Sequence, residues 1–179
     1  MQCLPDDHQA DDLLVALSFV RDCRLAIDCG AHRGTIAHRL ARVFDRVVAI
    51  EPGPLAERIE GCEVIRAAVS DKPGRCSMAD GPENTGQRHV VEGDEVEVIT
   101  LDSLGLWPDF VKIDVEGLEY RVLLGAEKTI RQNQPIVMLE ENGLNRRYGI
   151  ADGAAIELMR QWGAHCVAVR NKDWIFAWW

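Results

Sequence analysis

Residues 25–35 read Leu-Ala-Ile-Asp-Cys-Gly-Ala-His-Arg-Gly-Thr, and this stretch decides the fold. The apolar run Leu25-Ala26-Ile27 has the length of a short buried strand, and Asp28-Cys29-Gly30 stops it. Thr35 then starts a helical pattern over 35–44 that places Ile36, Leu40, Val43 and Phe44 on one face. A strand, a glycine turn and a helix open a parallel crossover, since the helix must carry the chain back before the next parallel strand begins. Val47-Val48-Ala49-Ile50 reads as that strand. The alternation continues outward, with a helix over 11–22 before it and strands at 63–65, 110–113 and 135–139 after it. Further helical stretches lie near 118–132 and 152–162. The pattern predicts an α/β fold: a doubly wound, mostly parallel sheet covered by helices on both faces.

Two segments depart from the rhythm. Residues 73–101 hold Gly74, Gly81, Pro82, Gly86 and Gly93 around short alternating runs such as Val96-Glu97-Val98-Ile99, which predicts an antiparallel excursion suited to walling a substrate. At the end of the chain, Cys166–Val169 and Trp174–Trp179 flank a tight turn at 171–173, so a hairpin should add an antiparallel strand to the sheet. The aromatic residues of that second strand suit sheet core better than a stacking platform.

Composition sets the bounds. With 179 residues and 47% apolar content the chain can bury one good core, and a single domain over 1–179 is expected, with 1–24 as a helical lead-in. No unbroken apolar run reaches the roughly 18 residues of a membrane helix, and the acidic start MQCLPDDHQADD is unlike a secretory signal, so a cytoplasmic location is expected. Six scattered cysteines without a CxxC pair read as reduced and structural. A net charge of −9 repels phosphate backbones, and the one short basic run, Asn145-Arg146-Arg147, is too small to recruit nucleic acid.

The candidate site residues fall at strand ends, where open α/β sheets bind ligands. The spacing Asp28-x-Gly30-x-x-x-Gly34 differs from the GxGxxG that cradles a pyrophosphate, and Asp28 suits the ammonium of a methionine moiety better than a phosphate. About 20 residues past the glycines, the second strand ends in Glu51-Pro52, where a carboxylate can accept hydrogen bonds from a ribose diol. Together they point to an adenosyl cofactor without pyrophosphate; the plainer alternative is a structural turn and a solvated glutamate. A second cluster closes the strand Phe110–Ile113 with Asp114 and Glu116, and a third closes the next strand with Glu140, Glu141 and Asn142. Helix capping or surface charge would equally account for some of these acids. Lys112 interrupts an apolar strand and so either pairs with Asp102 or Asp114 or reaches solvent. His32, between the glycines, can face a ligand, and Asn84 and His89 in the irregular segment can grip a substrate.

These motifs resemble the FkbM-type methyltransferases. The resemblance rests on Ile27–Gly34, Ile50-Glu51-Pro52, Ala67–Lys72, Val98–Leu104, Val111–Glu119, Leu124-Gly125-Ala126 and Leu139-Glu140. It implies a seven-stranded, Rossmann-like sheet whose last strand is antiparallel, with S-adenosyl-L-methionine as cofactor. It implies methylation of a hydroxyl oxygen, usually on a sugar or secondary metabolite, and extends the cofactor contacts to Gly30, His32, Gly34, Pro52, Ala68 and Asp114. The family usually carries asparagine at the position of His32 and an apolar residue at that of Arg33, and the stretch from Pro52 to Cys62 is short for the second helix.

Methyl transfer from a sulfonium disperses positive charge, so a carboxylate against the sulfur would stabilise the ground state and slow the step. Carboxylates therefore belong elsewhere: Asp28 and Glu51 on the cofactor, and Glu116 with Asp114 or Glu140 on the acceptor as orienter or general base. The expected partner is a small hydroxyl-bearing molecule, without nucleic acid or membrane; a homodimer is the assembly considered. Two alternatives stand beside this reading. One is a metal-assisted O-methyltransferase with Mg²⁺ on Asp114, Glu141 and Asn142. The other is a cofactor-binding scaffold without turnover. A nucleotide-dependent oxidoreductase is disfavoured by the missing GxGxxG.

Overall fold

The computed structural model describes residues 8–80 and 88–179. Helix α1 (His8–Leu17) leads into β1 (Leu25–Cys29), α2 (Thr35–Leu40), β2 (Arg46–Ile50) and β3 (Glu63–Ile65). Three strands follow, β4 (Ala68–Val69), β5 (Gly74–Ala79) and β6 (His89–Ile99), and then β7 (Phe110–Ile113), α3 (Glu119–Leu124), α4 (Glu127–Asn133) and β8 (Ile136–Glu140). The chain closes with α5 (Ala154–Gln161), β9 (His165–Arg170) and β10 (Asp173–Ala177).

Seven strands form one sheet in the order β3-β2-β1-β7-β8-β10-β9. Its first five strands are parallel, and β10 runs antiparallel between β8 and β9, as the terminal hairpin requires. The order turns back between β1 and β7, so helices cover both faces. Alternation sorts the strand side chains accordingly: Ala26, Val47, Phe110, Met138 and Ile175 pack with Leu13 of α1 and Ile36 and Leu40 of α2. Ile27, Val48, Val111, Leu139 and Phe176 pack on the other face with Val122, Ile130 and Ile156 of α3, α4 and α5. Burial on both faces is why β1 and β7 read as unbroken apolar runs apart from Asp28 and Lys112.

The 73–101 excursion is antiparallel as expected: β5 pairs with β6, which also pairs in parallel with β4, making a second, three-stranded sheet. Three helices differ from the sequence pattern. The first ends at Leu17 instead of Asp22. The second ends at Leu40, leaving Val43 45% exposed while Phe44 stays buried against Phe110. The stretch 118–132 is two helices, broken at Gly125-Ala126, and position 125 requires glycine because its backbone lies so close to the Ser70 carbonyl that a Cβ there would collide with it. The short stretch after Pro52 is a single 3₁₀ turn over Pro54–Arg58.

Asp102 is not the partner of Lys112. Its carboxylate accepts hydrogen bonds from the backbone N–H groups of Lys128 (3.1 Å) and Thr129 (2.7 Å), satisfying the open amino end of α4. Losing such a cap costs about 1–2 kcal/mol. Asp102→Ala should therefore lower the melting temperature by roughly 2–8 °C without changing ligand affinity at the sheet's carboxyl edge, which calorimetry and ligand titration check together.

Candidate active site

A cavity of about 590 Å³ opens at the carboxyl ends of β1, β2 and β7. Its floor includes Asp28, Gly30, His32, Glu51, Asp114 and Glu116, and one wall comes from the second sheet through Met78, Asp80, Arg88 and Val90. The turn after β1 crosses to β2, where Gly30 and Ala31 donate backbone hydrogen bonds to the Ile50 carbonyl. Gly30 adopts φ 83°, and a Cβ there would run into the Asp114 carbonyl, so only glycine lets the β1 and β7 ends close up.

Glu51 is fixed before any ligand arrives. Its Oε2 accepts from the His32 N–H at 2.8 Å and its Oε1 from the Gly53 N–H at 2.7 Å, which leaves lone pairs on both oxygens toward the cavity. His32 contributes through its backbone, at φ 51°. That left-handed conformation is one that Asn, Asp and His adopt more readily than other residues, so histidine can stand where asparagine is usual.

Asp28 is fully buried, and neither carboxylate oxygen has a hydrogen-bond partner among the described residues. Burial pushes its pKa up to about 6, against the opposing pull of Lys112. The Lys112 ammonium on the neighbouring strand offsets part of the cost of burying that charge. Lys112, only 2% exposed, donates to Asp114 Oδ2 at 2.8 Å. Burial disfavours its ammonium, yet Asp114, Asp28 and Asp173 together hold its pKa above the ordinary value.

The loop after β7 is strained and tied down. Glu116 takes φ 58°, in the left-handed region that costs a non-glycine residue about 1–3 kcal/mol. Glu119, 4% exposed, reaches back so that its Oε1 accepts from the N–H groups of Val115 (3.0 Å) and Gly117 (3.1 Å). The Glu116 side chain is thereby aimed at the cavity, with a buried Oε2 that has no partner among the described residues. Its pKa is raised, first by burial and then by the Asp114 charge, against the pull of Arg147, Lys112 and Lys172.

A model of the methyltransferase FkbM domain matches residues 28–166. The chain belongs to the FkbM methyltransferase family. It is a methyltransferase domain, and S-adenosyl-L-methionine is the cofactor the family implies. Among solved structures it is similar to an FkbM methyltransferase of Methylobacillus flagellatus KT, 17% identical, with a TM-score of 0.57 over 97% of this chain and 56% of that one. The chain thus spans little more than half the length of that relative. It is also similar to a precorrin-8w decarboxylase of Methanobacterium thermoautotrophicum (14% identity, TM-score 0.55, 97% and 91% covered). A precorrin-6y C5,15-methyltransferase of Geobacter metallireducens GS-15 is similar too (17%, 0.50, 94% and 89%). At these identities the likeness speaks for the fold alone. A comparison with curated proteins returns no match.

Of the residues singled out from the FkbM-like pattern, the cavity gathers Asp28, Gly30, His32, Glu51, Pro52, Ala68, Asp114 and Glu116. Gly34 sits behind it, at the start of α2. Glu140 stands outside the lining, its pKa pushed up first by burial and then by the Asp114 charge nearby. His89 is not in the lining either; its neighbours Arg88 and Val90 are, as strand alternation requires. Asn84 lies outside the described residues. Asn142 Oδ1 accepts from the Leu144 N–H and its Nδ2 donates to Glu140, and among the described residues no group of three or more His, Cys, Asp or Glu is placed for a cation. No helix among the described residues is long and apolar enough to cross a membrane. Sequence reasoning missed Glu119, whose position just past the E-G pair is the signal of a side chain reaching back to a loop. It also missed Asp173, which only the hairpin brings to Lys112.

Lys112→Met would leave Asp28, Asp114 and Asp173 buried without their cation, at a cost of about 3–5 kcal/mol. In that variant the folded-state pKa values of Asp28 and Asp173, already raised, lie further above their unfolded values, so the folded state binds the extra protons and stability falls as pH rises. The deficit measured by chemical denaturation should therefore be larger at pH 8 than at pH 5.

Proposed function

We propose that this domain methylates a hydroxyl oxygen on a small molecule such as a sugar or a secondary metabolite. The observation that carries the reading is one cavity lined by a pre-set carboxylate, Glu51, by the buried Asp28, and by Glu116; both oxygens of Asp28 and Oε2 of Glu116 lack hydrogen-bond partners among the described residues. The volume of about 590 Å³ falls within the roughly 300–1,000 Å³ of small-molecule sites.

The donor set fits the cofactor in chemical terms. Glu51 offers acceptors for a ribose diol, and Asp28 offers a buried anion for an ammonium. Ala67, Ala68 and Pro52 give an apolar surface for a base. Bound there, the cofactor supplies an electrophilic methyl group on a sulfonium. The protein's share is positioning and exclusion of water, with proton removal as help. Glu116 is the group on the cavity best suited to take the hydroxyl proton, because it lines the cavity and its raised pKa strengthens it as a base. Asp114, held by Lys112, orients the acceptor from the floor. The second-sheet wall of Met78, Asp80, Arg88 and Val90 mixes apolar and charged groups, which suits a polyhydroxylated or otherwise polar acceptor.

Titration calorimetry should show S-adenosylmethionine and S-adenosylhomocysteine binding far more tightly than NAD; comparable NAD binding would sink the assignment. Glu51→Ala removes charge-assisted hydrogen bonds of about 1.5–3 kcal/mol and should weaken the cofactor roughly 10- to 150-fold.

Glu116→Gln keeps shape and loses charge, so turnover should fall by about 10²–10⁴ with cofactor affinity nearly unchanged. In the unaltered protein the rate should rise with pH as Glu116 ionises, with its inflection above the ordinary glutamate range, and a flat profile would mean that alignment alone drives the step.

A further inference from the structure

The second sheet brings an arginine to the Glu51 loop. In the β5–β6 ladder Met78 stands opposite Val90 and Ala79 opposite His89, and Asp80 and Arg88 come next, so alternation turns residues 78, 80, 88 and 90 to the cavity together. Arg88 Nε donates to Asp80 Oδ1 at 3.1 Å, which orients the guanidinium and is its one hydrogen bond among the described residues. Asp80 is largely exposed, so the pair adds little stability of its own. The terminal amino groups of Arg88 keep their donors free. Lys112, the other lysine or arginine on the lining, is already given to Asp114. Gly53 shows where one of those amino groups lies. A Cβ on Gly53 would sit 3.2 Å from Arg88 Nη1 and 2.7 Å from Glu51 Oε1, so the two atoms border one gap without bonding across it. The Gly53 backbone, at φ −80° and ψ 171°, is extended and open to any residue. No turn demands glycine there; a side chain at 53 would fill the gap.

A hydroxyl group is satisfied by such a pair and by neither half alone. Its hydrogen donates to the carboxylate while its oxygen accepts from the guanidinium, each bond spanning roughly 2.7–3.2 Å. Glu51 can supply only the acceptor, each of its oxygens already taking one backbone N–H. Arg88 supplies the donor. We propose that Arg88 is a cofactor-binding residue, donating from its terminal amino groups to the ribose hydroxyls whose hydrogens Glu51 accepts. This deepens the reading of Glu51 as the ribose carboxylate and rests on it. The pair selects a free diol, because a phosphorylated ribose would bring its negative charge against Glu51. The second sheet thus reaches the cofactor as well as walling the acceptor.

The test is titration calorimetry of the full chain with S-adenosylhomocysteine and with its 2′,3′-dideoxyribose analogue, so that no turnover enters. Arg88→Met keeps an unbranched side chain and removes the donors, and circular dichroism checks that the variant is folded. It should bind S-adenosylhomocysteine about tenfold or more weakly, yet stay within about twofold of the unaltered protein for the dideoxy analogue. The double variant Arg88→Met, Glu51→Ala should lose less than the product of the two single losses, because both side chains serve the same hydroxyls. An Arg88→Met protein that binds S-adenosylhomocysteine as the unaltered one does overturns the proposal. So does an equal loss for both ligands, since the arginine then serves no ribose hydroxyl. A loss confined to Arg88→Met, with Glu51→Ala binding normally, defeats the reading of Glu51 and keeps Arg88 at the ribose. An unaltered protein that binds no S-adenosylhomocysteine defeats the cofactor site itself, and the role of Arg88 with it.

Discussion

The carboxyl edge of this sheet is organised by one buried ammonium. Lys112 sits where an apolar residue would be expected, and a charge taken out of water must be compensated by others close by. Compensation comes from three strands: Asp28 from β1, Asp114 from the end of β7 and Asp173 from β10. Those strands cannot shift relative to one another without exposing the charge imbalance. The polar row therefore fixes the registration of the carboxyl edge as the apolar layers fix its centre, and the cavity inherits that rigidity.

A single cation shared among several acids has a second consequence. The pKa of Asp28 rises to about 6, that of Asp173 to about 6 and that of Glu140 to about 8, with burial the largest cause in each. The edge of the sheet is thus a set of carboxyl groups poised between charged and neutral at ordinary pH. Such poise is common where acid–base and binding chemistry is done. It lets one floor present a buried carboxylate at Asp28 and a raised-pKa base at Glu116 within the same cavity.

Backbone strain completes the site. His32 and Glu116 both occupy left-handed conformations, and each is held by a hydrogen bond close by: the His32 N–H to Glu51, and the N–H groups flanking Glu116 to Glu119. Strain of about 1–3 kcal/mol per residue persists only where neighbours over-determine it. Here the neighbours are themselves carboxylates, so the same acids that line or support the cavity also hold its loops.

The sequence by itself determined the α/β class, the antiparallel hairpin, the excursion over 73–101 and the strand-end positions of Asp28, Glu51, Asp114 and Glu116. Each of these follows from local periodicity or from a residue's place at the end of an apolar run, and both survive in a one-dimensional string. Tertiary structure alone decided the partners. Lys112 could face Asp102 or Asp114 until folding turned Asp102 toward the amino end of α4. Glu140 looked like another rim carboxylate until its place beside Asp114 and outside the cavity was set. Asp173 carried no signal, because it reaches Lys112 only through the hairpin that brings β10 against β8. The need for glycine at 125 likewise depends on a carbonyl 55 residues earlier in the chain, at Ser70. Strand order and close approach between distant segments are not periodic in the sequence, and it is these that settle which charges are shared and which carboxylates face the cavity.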